Sequence, residues 1–356
     1  MRLSAVGVAR DNAGMNIRVA LRTTLLALLV AVAAIPSSVS AQSGGEGADG
    51  WKLSVAVGPA FALGQMADRW AKAIGERSEG KLAVRVFPGA SLARNDPARE
   101  FLALREGAAD LAVGSTLYWA SQVVDFNLYA LPWLAAEERA LAALSESTVV
   151  DRLMAAAERA GVVPLAFAVL GHRALATSRP LRDPSDFARM KIRVPSSTLV
   201  TNLLVELGSL PRTMPSADAQ AAFRSGALEA QEGSLATLAA ARVDTLGMKQ
   251  VFLWDAIAEC AMFAVSKAAW GRWTDEQRAI VRETALEAAR ELPALARAEN
   301  DAAQEALVKR GVTVTRLTPS GRAAFVTATR HVYERWASAM DADLVRAAEA
   351  AVKSVQ

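Results

Sequence analysis

From Trp51 onward the apolar positions keep changing period, from two to near 3.6 and back again. Lys52 to Val57 reads as a strand that ends at Gly58-Pro59. Gln65 to Glu79 reads as a helix, with Met66, Trp70, Ala73 and Ile74 on one face and Gly80 as its stop. Leu82 to Phe87 is a second strand, closed by Pro88-Gly89. Asp96-Pro97 is a cap with proline at the first helical position, and the helix behind it runs to Arg105 and stops at Gly107. Asp110 to Val113 is a third strand, followed by Gly114-Ser115. Strands alternating with helices predict an α/β unit with a parallel sheet. Ligands in such units sit beyond the carboxyl ends of the strands, which nominates the loops Gly58–Phe61, Pro88–Asp96 and Ser115–Trp119.

A second unit of the same kind starts after Gly161. Val162–Val169 and Lys191–Val194 are strands, the latter stopped by Pro195. Ser197–Leu207 is a helix closed by Gly208, Ser216 caps a helix through Phe223 that Gly226 ends, and Leu228–Gln231 is a strand. The last third is helical. Thr274-x-x-Gln277 is a capping box, and its helix is expected to pass Pro293 with a kink and reach about Lys309. Val312–Val314 is a short strand, and Ser320 to the end forms one or two helices. Two similar units joined by several crossings predict a hinged, two-lobed shell with its ligand between the lobes. The first lobe is expected to take residues 51–170 and about 260–297, the second residues 171–259 and about 298–356.

Charge changes the picture at one end. Arg18 and Arg22, the apolar run Leu25–Ile35 and the small residues Val39-Ser40-Ala41 form the three parts of a secretory signal over residues 1–41, with Met15 as an alternative start. The apolar run is short for a membrane span, although an uncleaved anchor is the rival reading. The segment holds four arginines and one aspartate, so it carries the chain's whole net charge of +3. Residues 42–50 are a flexible lead-in. The remainder is neutral, has no basic tract suited to nucleic acid, and must recognise any anion with placed residues. Cys260 is the only cysteine, which excludes an intrachain disulfide and a cysteine-rich metal site. The two histidines, His172 and His331, lie far apart, and no nucleophile elbow, phosphate loop or dinucleotide fingerprint is present. No enzyme chemistry, cofactor or metal is therefore expected.

The order of short motifs resembles the solute-binding proteins of tripartite ATP-independent periplasmic (TRAP) transporters, of the DctP type. Phe87-Pro88-Gly89 with Ser91-Leu92, Gly107 to Asp110, and Leu131-Pro132-Trp133-Leu134 carry the likeness in the first unit. Gly171-x-Arg173, Asp186-Phe187, Lys191-Ile192-Arg193-Val194-Pro195, Leu207-Gly208 and Gly226 to Glu232 carry it in the second. The resemblance implies a periplasmic-binding-protein-like fold with parallel-rich sheets and a cleft between its lobes. It also implies a small organic-acid ligand and a TRAP-type membrane permease as partner. Arg193 stands where the family pairs an arginine with the ligand carboxylate, and Arg173 where a second arginine often helps. A guanidinium suits the task because its planar fork gives a carboxylate two parallel hydrogen bonds.

Two departures bear on the ligand. Gly233 stands where the family commonly has a ligand-contacting asparagine, and Trp254-Asp255 stand where a histidine is frequent. Both suggest a larger or less polar acid than a C4-dicarboxylate, with space opened at Gly233. Ser115 as a donor and Phe61, Trp119 and Trp254 as apolar walls complete the expected site. Each has a structural alternative: a helix cap for Ser115, core packing for Trp119, Trp133 and Trp254, and a tie to a neighbouring carboxylate for either arginine. Glu232 is expected to pair with an arginine or face away. Alternative functions are a periplasmic hydrolase or lyase, or a sensory subunit binding the same kind of ligand.

Overall fold

The structure, a computed structural model, describes residues 50–214 and 216–356. The expected signal segment and most of the lead-in lie outside the described residues, as does Pro215, so the cap at Ser216 is not assigned.

Two mixed sheets organise the chain. The first has the order β2-β1-β3-β10-β4. It is built from β1 (Trp51–Val55), β2 (Val84–Phe87), β3 (Leu111–Ser115), β4 (Val162–His172) and β10 (Ala258–Ser266). The second has the order β11-β9-β5-β8-β6-β7. Its strands are β5 (Ala174–Thr177), β6 (Lys191–Val194), β7 (Leu210–Thr213), β8 (Ala230–Gly233), β9 (Gln250–Leu253) and β11 (Thr313–Arg316).

The expected parallel pairs are present as β1 with β2 and β3, and β6 with β7 and β8. The antiparallel members are β10, which pairs with β3 and β4, and β5, which pairs with β8 and β9. These two strands follow directly on the crossings between sheets. The chain leaves the first sheet at β4, passes through Arg173 and enters β5. It returns from β9 through Trp254–Ile257 into β10. A helix over Asp275–Lys309 makes a further connection. It opens with the Thr274–Gln277 capping box, contains Pro293, and contacts β4 near its start and β11 and the helix Leu235–Ala240 near its end.

Local signals explain most element ends. Asp96 accepts the Ala98 amide and precedes Pro97 in a short 3-10 turn, after which Glu100–Arg105 is helical. Ser197 caps the helix Thr198–Glu206. The C-terminal segment forms two helices, Pro319–Ala339 and Ala342–Lys353, and the second packs against helices Glu138–Glu146 and Val149–Arg159.

One buried polar pair stands out in the first sheet. Ser54 and Glu100 are both fully buried, and the Ser54 hydroxyl donates to Glu100 Oε1 at 2.7 Å. Burial, with a smaller push from Asp96, raises the Glu100 carboxyl to about 8, while the Ser54 bond opposes the rise. Below about pH 4.5 this carboxyl is neutral in folded and unfolded chains alike. As pH rises toward 8 the unfolded chain releases the proton and the folded chain holds it, so stability falls through that window by roughly 3–5 kcal/mol. Glu100→Gln keeps a neutral acceptor for Ser54 and should flatten the decline, as read from urea midpoints at pH 5, 6.5 and 8.

Candidate functional site

The crossings bring a charged cluster together between the two sheets. β6 turns Ile192 and Val194 into the core and Arg193 to its opposite face. Arg193 is only 9% exposed, yet its sole bond among the described residues runs from Nε to the Met214 carbonyl at 3.1 Å. Both Nη groups lack a partner there. Burial lowers this guanidinium from its ordinary value, and the fields of Tyr118 and Glu232 act against that effect. It remains a cation, because arginine does not deprotonate in proteins.

Arg173 is arranged differently. Its Nε donates to Glu232 Oε1 at 2.6 Å and its Nη2 to Glu232 Oε2 at 2.8 Å. Its Nη1 donates to Glu259 Oε2. The other Glu259 oxygen accepts from the Ser115 hydroxyl at 2.6 Å. Burial alone would lower Arg173, but the fields of Glu232 and Glu259 hold it well above its ordinary value. The network joins β3 and β10 of the first sheet to β8 of the second through the residue at the crossing. Glu232 therefore pairs with an arginine, and Ser115 spends its proton on Glu259 without capping the helix Thr116–Trp119.

The remaining expected residues divide. Phe61 caps the helix Ala62–Arg77 on the first-sheet side and packs, partly buried, against the core of the second sheet. It is thus an apolar residue spanning the two sheets. Trp119 and Trp254 are not brought to the cluster. Trp119 is fully buried, lies edge-on to Phe101, and covers Gly114 so closely that a Cβ there would come within 2.0 Å of the indole. Trp254 is fully buried, stacked on Phe187 and edge-on to Trp133. Both serve the core. Gly233 lies beside the cluster, but the expectation of open space there is corrected: a Cβ at Gly233 would meet Thr237 Oγ1 at 2.7 Å. The Thr237 hydroxyl fills the room that the missing side chain leaves.

Two members of the cluster were not legible in advance. Glu259 is the second residue of β10, a strand that the sequence pattern does not announce. Tyr118 precedes Trp119, is half-buried, and senses Arg173, Glu259, Arg193 and Glu232. A cavity of about 400 Å³ opens at the Arg173 crossing, lined by Arg173 itself and, among others, by Phe167, His172, Arg297, Asn300 and Arg316. It offers no buried free cation. Arg316 is paired with Asp255, His172 bonds the Ala135 carbonyl, and the Arg297 side chain is 74% exposed. Among the described residues no group of acidic, histidine or cysteine side chains is placed to hold a metal, and no helix is long and apolar enough to cross a membrane.

A buried guanidinium with no acid partner among the described residues is suited to receive an anion. The family model for bacterial extracellular solute-binding protein, family 7 (DctP), matches residues 53–339. This chain belongs to that family. The C4-dicarboxylate-binding periplasmic protein DctP of Vibrio cholerae is 25% identical over 79% of this chain and 83% of its own length. Its counterpart from Rhodobacter capsulatus is 24% identical over 84% of this chain and 90% of its own. A crystal structure of a TRAP periplasmic solute-binding protein from Ralstonia eutropha, with bound (S)-2-acetolactate, is 39% identical. It superposes with a TM-score of 0.82, covering 85% of this chain and 98% of that one. A TRAP protein from Sulfurospirillum deleyianum with bound succinate shares the fold, with a TM-score of 0.76 over 86% of this chain and 98% of that one at 23% identity. This family 7 chain is thus an extracytoplasmic solute-binding protein of two-lobed α/β fold.

The two arginines should respond oppositely to truncation. Glu232→Ala leaves Arg173 buried with one partner, and should cost about 3–5 kcal/mol in urea unfolding. Arg193→Met removes a desolvated cation that has no acid partner, and should leave the ligand-free protein as stable or more so.

Proposed function

We propose that this protein captures a small organic acid bearing one carboxylate and delivers it to a TRAP-type membrane permease, without chemical turnover. Arg193 carries the reading: a buried cation whose Nη groups have no partner among the described residues is incomplete until an anion arrives. A carboxylate supplies two acceptors in the geometry of that fork. The placed cations favour one carboxylate over two. Glu232 and Glu259 both bond Arg173, so Arg193 is the one cation of the cluster without an acid partner among the described residues. A dicarboxylate would leave an unpaired charge in a desolvated site.

The Ralstonia eutropha relative, whose ligand is a monocarboxylate, supports this choice over the C4-dicarboxylates named for the Vibrio cholerae and Rhodobacter capsulatus relatives. In this reading Arg173 orients the site without gripping the ligand by its whole fork, and Ser115 and Glu259 hold Arg173 in place. Residues 1–41 act as the export leader, which places the mature protein in the periplasm. N-terminal sequencing of exported protein should begin at Gln42.

Thermal-shift titration with mono- and dicarboxylates tests the ligand class, since a ligand that prefers the folded state raises the melting temperature. Monocarboxylates should give the larger shifts. Arg193→Ala should weaken binding by about 100-fold or more, and Arg193→Lys should restore little of it because an ammonium lacks the fork. A full shift in Arg193→Ala would remove the clamp.

A further inference from the structure

Tyr118 sits where the proposed ligand would need a second anchor. Ser115 ends β3, and Tyr118 follows one helical turn later, on the same side of the short helix Thr116–Trp119. The Ser115 bond to Glu259 holds that side against the charged cluster. Trp119, one residue on, points the other way into the core. Tyr118 is half-buried, and its hydroxyl makes no hydrogen bond with any described residue. Its charged neighbours come from both sheets: Glu259 from the first, Arg193 and Glu232 from the second, and Arg173 from the crossing. Burial pushes the phenol up, so it stays a neutral donor at physiological pH. This half-buried hydroxyl, without a partner among the described residues, is left free to donate to a ligand.

We propose that Tyr118 is the ligand's anchor on the first sheet, donating a hydrogen bond to an oxygen carried on the carbon next to the carboxylate that Arg193 holds. This rests on the carboxylate reading above and narrows it. The two free Nη groups of Arg193 use both carboxylate oxygens, so a further donor at the cluster is matched by an oxygen beyond them. The ligand class is then a 2-hydroxy or 2-oxo monocarboxylic acid. Such a ligand bonds to Arg193 on one sheet and Tyr118 on the other, so its binding favours the arrangement that brings the two lobes together. A plain fatty acid would engage one side only.

Calorimetric titration with (S)-2-acetolactate and with isobutyrate, which lacks the adjacent oxygen, separates the two roles. Wild-type protein should prefer acetolactate. Tyr118→Phe should weaken acetolactate binding by about 10-fold, leave isobutyrate unchanged, and so close the gap. Its ligand-free unfolding midpoint should match wild type, because the hydroxyl has no partner in the protein to lose. The proposal falls if Tyr118→Phe binds acetolactate within 2-fold of wild type, or if it loses the same factor for both acids. If isobutyrate is too weak to titrate in either protein, the acetolactate ratio decides alone. Arg193→Ala tests the underlying reading separately. Loss of acetolactate in Arg193→Ala with full retention in Tyr118→Phe keeps the clamp and discards Tyr118. Retention in Arg193→Ala discards the clamp. Wild-type protein that binds neither probe overturns the ligand class.

Discussion

The central constraint is an asymmetry between two arginines. Arg173 sits at a crossing between sheets with its charge returned by Glu232 and Glu259, whereas Arg193 is nearly as deeply buried with only a backbone carbonyl for company. Desolvating a cation without an anion is unfavourable, and a folded chain retains such a group only where the rest of the structure imposes it. Here β6 imposes it. Ile192 and Val194 must face the core, and the alternation of a strand then fixes the side on which Arg193 emerges. In the proposed reading, the local stability forgone at Arg193 is recovered when an anion binds.

The Arg173 network gives that site its frame. A pair buried this deeply adds little net stability, since desolvation offsets most of the attraction. Its value is geometric. Glu259 is fixed by β10, Glu232 by β8 and Ser115 by β3, so one guanidinium registers three strands from two sheets. Phe61 adds an apolar contact across the same gap. The positions of Arg193 and Tyr118 relative to each other follow from this registration, and loss of Glu232 should disturb both.

Much of this was readable from the chain, for identifiable reasons. Lys191–Val194 is found as a strand because a β-branched run meets Pro195, and Thr274 announces its helix through a capping box. β10 is not legible: Ala258–Ser266 carries three alanines with single Glu and Met residues, favours helix by local propensity, and becomes a strand because both faces are buried between β3 and β4. β7 contains Pro211, which argues against a strand, yet an edge position tolerates it. The site shows the same limits. Arg193 was found through its strand, but Glu259 was hidden with β10. Tyr118 is not separable from Trp119 by sequence alone, because two adjacent aromatics do not reveal which faces the core. The amphipathic tip of tyrosine was the available signal.

The strand order of the first sheet has a consequence for how the chain is made. β10 lies between β3 and β4, yet it is synthesised long after either. Until Ser266 has emerged, β3 and β4 have no common neighbour, and the nascent first lobe holds an unfilled slot at its centre. Neither sheet is contiguous in sequence, so neither can complete itself early. Such a topology makes completion of the first sheet wait on a strand that lies far along the chain.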